Sequence, residues 1–221
     1  VFQDERFTYA ELNVRVNRFA RALTAAGVRK GDKVAFLFMN SPEFVVTWLA
    51  VAKAGAVGVP LNYGLVPREL KYQIDQSDAV AIVFSPLFME RIAAIRGDLP
   101  QVRTYVCNGE NGTLDFETLP AGYPPDEPEA EVSLYDANLI LYTAGTTGAP
   151  KGAVLTHRNS LFNAFTCCLD YRFTRDDVLQ IVPPLFHAAA VNCMLLPGLV
   201  LGCTIAIHLR FDPEDMLRKI Q

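Results

Sequence analysis

The chain has 221 residues, of which 51% are hydrophobic and 20% charged, and its formal net charge is −4. That length supports a sizeable core in one or two domains, and the acidic balance with scattered Lys and Arg leaves no basic stripe for nucleic acid. No apolar run approaches the about 20 residues of a membrane span; the most apolar stretch, residues 191–206, is broken by Asn192, Pro197, Gly198 and Gly202.

Thr8 and Glu11 have the spacing of a capping box. They open a helix whose apolar positions Leu12, Val16, Phe19, Ala20, Leu23 and Ala26 keep helical spacing up to Gly27. Residues 34–38 read as a buried strand. Ser41 and Pro42 are an N-cap and first-turn pair for a helix to about Ala54. Gly55 and Gly58 fit a helix end and a close strand approach. Strand resumes over 56–60, followed by a helix at 67–76, a strand at 79–84 and a helix at 86–95. Residues 108–136 are rich in Gly, Pro and acids and read as a long surface connection. Strands at 138–142 and 153–155 flank a Gly-rich loop. A helix near 159–169, a strand at 178–182, a helix after His187, a strand at 203–207 and a helix at 213–221 complete the order.

Continuous apolar strands alternating with amphipathic helices predict an α/β fold with largely parallel sheets flanked by helices. The expected division is a first α/β subdomain over 1–107, an irregular surface connection over 108–136, and a phosphate-loop region with the start of a second α/β subdomain over 137–221. The chain begins at Val1 and ends inside a helix, so it is expected to be a piece of a longer protein. With no targeting segment, a cytoplasmic location is expected. The five cysteines lack metal-ligand spacing and read as free, mostly buried thiols. His157 and His208 read as surface residues at strand ends.

Residues 143–152, Thr-Ala-Gly-Thr-Thr-Gly-Ala-Pro-Lys-Gly, hold three glycines, three threonines and one lysine between two strands. Glycine lets backbone approach a ligand, successive N–H groups form an anion nest, and the hydroxyls and Lys151 add donors and charge. The pattern points to polyanionic phosphate; the plain alternative is a Gly-rich hairpin turn without a ligand. A Walker A loop is rejected by spacing, since that motif needs Gly before its Lys and Ser or Thr after it, then a helix. Here Pro150 and Gly152 flank Lys151 and a strand follows. His187 is the second chemical candidate. It follows a strand and the Pro183-Pro184 corner, where open α/β sheets bind ligands; it also fits a helix-start histidine satisfied by backbone.

The loop closely resembles the phosphate-binding signature of the adenylate-forming superfamily, which includes acyl- and aryl-CoA synthetases, nonribosomal peptide adenylation domains and luciferases. Its usual form is Thr-Ser-Gly-Thr-Thr-Gly-x-Pro-Lys-Gly. Ala144 is the departure, removing one possible phosphate donor at a cost of about 1.5–3 kcal/mol where that bond is made. Residues 7–12, 52–61 and 184–187 are similar to further family blocks, so the resemblance covers essentially the whole chain as the N-terminal part of the adenylate-forming enzyme fold. It implies an ATP-dependent acyl-CoA synthetase using ATP, Mg2+ and CoA.

By that resemblance Thr143, Ala144, Gly145, Thr146, Thr147, Gly148 and Lys151 form the ATP site. Gly145, Thr146, Thr147 and Gly148 would cradle the β- and γ-phosphates, Lys151 and Thr147 would carry the catalysis, and Thr143 would lie near the metal. Phe186 and His187 would bind the acid substrate beside the thiol channel. Amino-acid-activating relatives carry an aspartate at or near this block; alanines follow His187 here, which implies an uncharged or fatty organic acid. The family's later adenine, ribose, hinge and C-terminal lysine blocks are not found, so the chain is expected to need the C-terminal part of the same parent protein and to be nearly inactive alone. The alternative is a catalytically incomplete nucleotide-binding or scaffolding remnant.

Overall fold

A computed structural model describes residues 1–143 and 148–220 of the chain. Helix α1 (Tyr9–Ala25) starts at Thr8, whose hydroxyl accepts from the Glu11 amide while the Glu11 carboxylate takes the Thr8 amide at 2.7 Å. These reciprocal bonds satisfy donors that every helix start leaves open. Strand β1 (Lys33–Leu37) follows, then α2 (Pro42–Lys53), whose Ser41 cap accepts from the Phe44 amide. Next come β2 (Val57–Pro60), α3 (Pro67–Gln76) and β3 (Ala79–Phe84). The helix read at 86–95 divides into a 3-10 turn over Pro86–Phe88 and α4 (Met89–Arg96).

Two strands were not anticipated: β4 (Thr104–Cys107) and the two-residue β5 (Leu114–Asp115). Strands β6 (Ala137–Thr143) and β7 (Lys151–Thr156) complete a seven-stranded sheet of order β5-β4-β3-β1-β2-β6-β7. Every neighbouring pair is parallel except β6 with β7. Buried runs such as Val34–Leu37 and Val57–Pro60 suit strands covered on both faces. One face carries Phe19 and Leu23 of α1 and Phe44, Trp48 and Val51 of α2 against Phe36, Val83 and Leu139. The other carries Leu70 and Ile74 of α3 and Ile92 and Ile95 of α4 against Leu37, Ile82 and Phe84. Gly58 is the expected close approach, because a Cβ there would lie 3.0 Å from the Leu139 side chain and 3.1 Å from Phe36. The connection after β4 packs inward through Phe116, whose ring lies 4.7 Å from Phe19 and 6.1 Å from Phe38.

Beyond β7 come α5 (His157–Tyr171), β8 (Val178–Ile181) and the corner at residues 182–187. A helical run then joins α6 (Ala188–Ala190), a π-turn over Val191–Leu195 and α7 (Leu196–Leu201). Strand β9 (Thr204–Ile207) pairs in parallel with β8, and α8 (Pro213–Ile220) follows. Ile181, Leu185, Val191, Leu195 and Ile207 share the core built by α1 and α2, so the small sheet is packed onto the large one.

Candidate functional site

Thr143 and Lys151 end the antiparallel pairing of β6 and β7 as cross-strand partners, and both side chains are exposed. Because β6 runs parallel to β2, the end of β6 at Thr143 and the start of β7 at Lys151 lie at the C-terminal edge of the sheet, where ligands of open α/β folds sit. Gly148 is exposed, with no atom within 4 Å of the place a Cβ would take. Ala144, Gly145, Thr146 and Thr147 lie outside the described residues. Gly152 stands opposite Tyr142, and a Cβ there would fall 2.6 Å from the Ile140 methyl.

Helix α3 holds both stems of this hairpin. The Tyr142 hydroxyl donates to the Gln73 carbonyl at 3.0 Å, with the Gln76 side-chain oxygen beside it. Burial pushes the Tyr142 hydroxyl up to about 12, so it keeps its proton as a donor at neutral pH. On the other stem the Tyr72 hydroxyl donates to the Pro150 carbonyl at 3.1 Å.

The corner after β8 forms a second cluster on the same edge. Leu185 is buried, Phe186 half-buried and His187 exposed. The Leu185 amide donates to Asn40 Oδ1 at 2.7 Å, and Asn40 Nδ2 donates to the Pro183 carbonyl at 3.0 Å and the His208 carbonyl at 3.1 Å. Phe186 meets Tyr63 edge-on, with ring centroids 5.2 Å apart and planes at 82°. His187 caps α6, its Nδ1 accepting from the Ala189 amide at 3.2 Å. A neutral ring bonded this way carries its proton on Nε2. His187 is therefore both a helix-start histidine and an exposed imidazole at a strand's C-terminal end. Among the described residues no hydrogen bond or ring contact joins Phe186 and His187 to the hairpin mouth.

Two sequence readings are corrected. His208 is 2% exposed, not a surface residue, with Nδ1 2.9 Å from the Asp215 carboxylate of α8. His157 is half-buried at the start of α5, where burial lowers its basicity and neighbouring Asp136 partly offsets that. His208 sits between apolar Ile207 and Leu209 at the end of β9, a local sign of burial that the surface reading passed over. The cysteines are free, with Cys107, Cys167 and Cys203 buried. Burial pushes the Cys107 and Cys167 thiols up to about 11, which makes them poor nucleophiles. Among the described residues no three His, Cys, Asp or Glu side chains gather as a metal-ligand set. No helix of the described residues is long and apolar enough to cross a membrane. Asn40, Tyr63 and Tyr72 were not singled out from sequence, because their partners lie in remote segments.

Fold and site together define a class: a mostly parallel α/β protein whose β6–β7 stems, joined by a Gly- and Thr-rich sequence, end at Thr143 and Lys151 on the C-terminal edge of its sheet. Residues 1–221 match the AMP-binding enzyme family, and the chain belongs to it. Feruloyl-CoA synthase from an Amycolatopsis species is 41% identical over 215 residues, covering 97% of this chain and 41% of that relative. ATP-bound MatB from Rhodopseudomonas palustris superposes with a TM-score of 0.87 at 32% identity, covering 98% of this chain and 43% of that one. The inhibitor-bound N-terminal domain of FACL13 from Mycobacterium tuberculosis gives 0.89 at 33% identity, covering 98% and 54%. The chain spans less than half the length of the curated relatives it matches.

Proposed function

We propose that this chain is the N-terminal part of an ATP-dependent acid–thiol ligase of the acyl-CoA synthetase type. The observation that carries the reading is the pairing of Thr143 with Lys151 at the mouth of the β6–β7 hairpin, on the C-terminal edge of the sheet. A substrate carboxylate oxygen attacks the α-phosphorus of ATP, and pyrophosphate leaves. The CoA thiol then attacks the acyl carbonyl, releasing AMP and a proton. No protein nucleophile is required, which suits the raised thiols of Cys107 and Cys167.

In this reading Gly145, Thr146, Thr147 and Gly148 donate to the β- and γ-phosphates, and Lys151 neutralises the departing pyrophosphate. Positioning and charge stabilisation are the protein's main contributions to such chemistry. Magnesium ions keep several waters and lean on substrate phosphates, so the exposed Thr143 hydroxyl fits as one protein oxygen beside the metal of MgATP. Adenine, ribose and the C-terminal catalytic lysine would be held by the parent protein beyond these residues. A cytoplasmic setting, where ATP and CoA are found, belongs to the same proposal.

Phe186 and His187 would line the acid. Residues 182–190, Val-Pro-Pro-Leu-Phe-His-Ala-Ala-Ala, include no carboxylate to pair with a substrate ammonium. An acid with an uncharged body follows, and a fatty acid is the first choice. The similarity to feruloyl-CoA synthase favours an aromatic propenoic acid as the second. Thioester formation by the complete parent protein with fatty acids, hydroxycinnamic acids and amino acids tests this directly. Turnover is expected with one of the first two groups. Selective turnover of amino acids, or robust acyl-CoA synthesis by these 221 residues alone, would overturn the reading.

A further inference from the structure

The corner that presents Phe186 and His187 has few backbone donors of its own, since neither Pro183 nor Pro184 carries an N–H. The His187 amide donates to the Pro184 carbonyl within it, so the Leu185 amide and the Val182 and Pro183 carbonyls are left to be met from outside. Asn40, in the loop between β1 and α2, does this while itself 2% exposed. Its Oδ1 takes the Leu185 amide at 2.7 Å, and its Nδ2 reaches the carbonyls of Pro183 at 3.0 Å, His208 at 3.1 Å and Val182 at 3.5 Å. One amide thus ties the end of β1 to the segments leaving both β8 and β9. Buried and fully satisfied, such a group fixes geometry rather than merely filling space.

A second grip falls one residue further on. Tyr63, in the loop after β2, meets the Phe186 ring edge-on at 5.2 Å. Tyr63 is itself anchored, because Arg91 of α4 donates to its carbonyl at 2.6 Å and to that of Leu65 at 3.1 Å.

We propose that Asn40 and Tyr63 form a two-point clasp that positions Phe186 and His187 against the acid substrate. Both are positioning residues: Asn40 acts through the backbone of Leu185 and Pro183, Tyr63 through the Phe186 ring. The inference rests on the reading of Phe186 and His187 as acid-facing. It predicts that loss of either grip weakens use of the acid and spares use of ATP, because the phosphate loop is held separately by Tyr72 and Tyr142 of the α3 contact.

The test uses the complete parent protein carrying Asn40→Asp, Tyr63→Leu, Tyr63→Phe or His187→Ala, with thermal melting to establish folding. Asn40→Asp keeps shape and the acceptor for Leu185 but removes the donors to Pro183 and His208. Folded Asn40→Asp and Tyr63→Leu are expected to raise the acid KM by about ten-fold, with the ATP KM at the parental value. Tyr63→Phe, which keeps the ring, is expected to rescue the acid KM. Should Asn40→Asp fail to fold, the two Tyr63 variants decide the question. A parental acid KM in folded Asn40→Asp or Tyr63→Leu, with a raised one in His187→Ala, would overturn the clasp and leave the acid-facing reading standing. A parental acid KM in His187→Ala as well would overturn both.

Discussion

The Tyr72 hydroxyl donates to the Pro150 carbonyl across 3.1 Å, tying α3 to the chain one residue before Lys151 and the start of β7. The opposite stem is tied to the same helix through Tyr142 and Gln73. A loop rich in glycine has many backbone states to lose on ordering. Both stems of the hairpin are thus fixed from one helix.

Tyr72→Phe removes one of these ties and leaves the ring. A single intramolecular hydrogen bond of this kind contributes about 0.5–1.5 kcal/mol. The ATP KM of the complete protein is therefore expected to rise by about two- to ten-fold, with the acid KM unchanged. Steady-state kinetics with each substrate varied in turn check this, and an unchanged ATP KM would show that the bond does not restrain the loop.

Gly152→Ala is expected to destabilise the hairpin. The new methyl would lie 2.6 Å from the Ile140 Cγ2 and 3.3 Å from the Tyr142 ring, too close for either to stay in place. Overpacking of this order costs about 1–3 kcal/mol. Ile140→Ala combined with Gly152→Ala should recover part of the loss, because it removes the Cγ2 methyl that the new Cβ meets. Denaturant unfolding of the single and double variants measures the coupling; simple additivity would contradict this packing.

Glu127 lies 2.6 Å from the Lys53 ammonium, which also reaches the side-chain oxygens of Asn13 and Asn17 at 2.7 Å each. The bond from Lys53, with a second from Asn13, holds the Glu127 carboxyl down from 4.5 to about 2. A depressed carboxylate adds stability that is fully present above its unfolded value and is lost as pH falls through the folded one. The window here runs from 4.5 down to about 2. The Glu127 side chain is 64% exposed, so solvent screening limits the contribution to about 1 kcal/mol or less. Glu127→Gln should lower stability slightly at neutral pH and remove this part of the acid-induced loss. Added salt should shrink the difference, and parallel pH-stability curves for parent and variant would refute the assignment.

Much of the scaffold was legible because its signals are local. The Thr8–Glu11 capping box, the Ser41-Pro42 start and the helix at Pro67–Gln76 depend on neighbours a few positions away. Runs such as 79–84 announce a strand buried on both faces through composition alone. Strand β5 is two residues long, too short for periodicity or run length to mark it, whereas β4 went unread although β2, β8 and β9 are no longer. Strand β4 pairs with β3 on the side away from β1, and β5 pairs in turn with β4. His208 lies between apolar Ile207 and Leu209, and contacts with Ile181, Asn40 and Asp215 complete the setting in which it is buried.

The site divides in the same way. Glycine, threonine and lysine spacing exposes the loop, but only sheet order places it at the C-terminal edge beside the ends of β1 and β2. Asn40 meets Leu185 across 145 positions of chain, and nothing near Asn40 signals that partner.

Acid-dependent exchange of labelled pyrophosphate into ATP by the complete parent protein, compared with its Lys151→Ala variant, tests the central claim most directly. Exchange is expected to require the cognate acid and to need no CoA. A fall of about 10²–10³-fold is expected in the variant, as for loss of other preorganised charge-stabilising donors. Exchange at the parental rate after Lys151→Ala, or no acid-dependent exchange by the parent across the fatty and hydroxycinnamic acids, would contradict it.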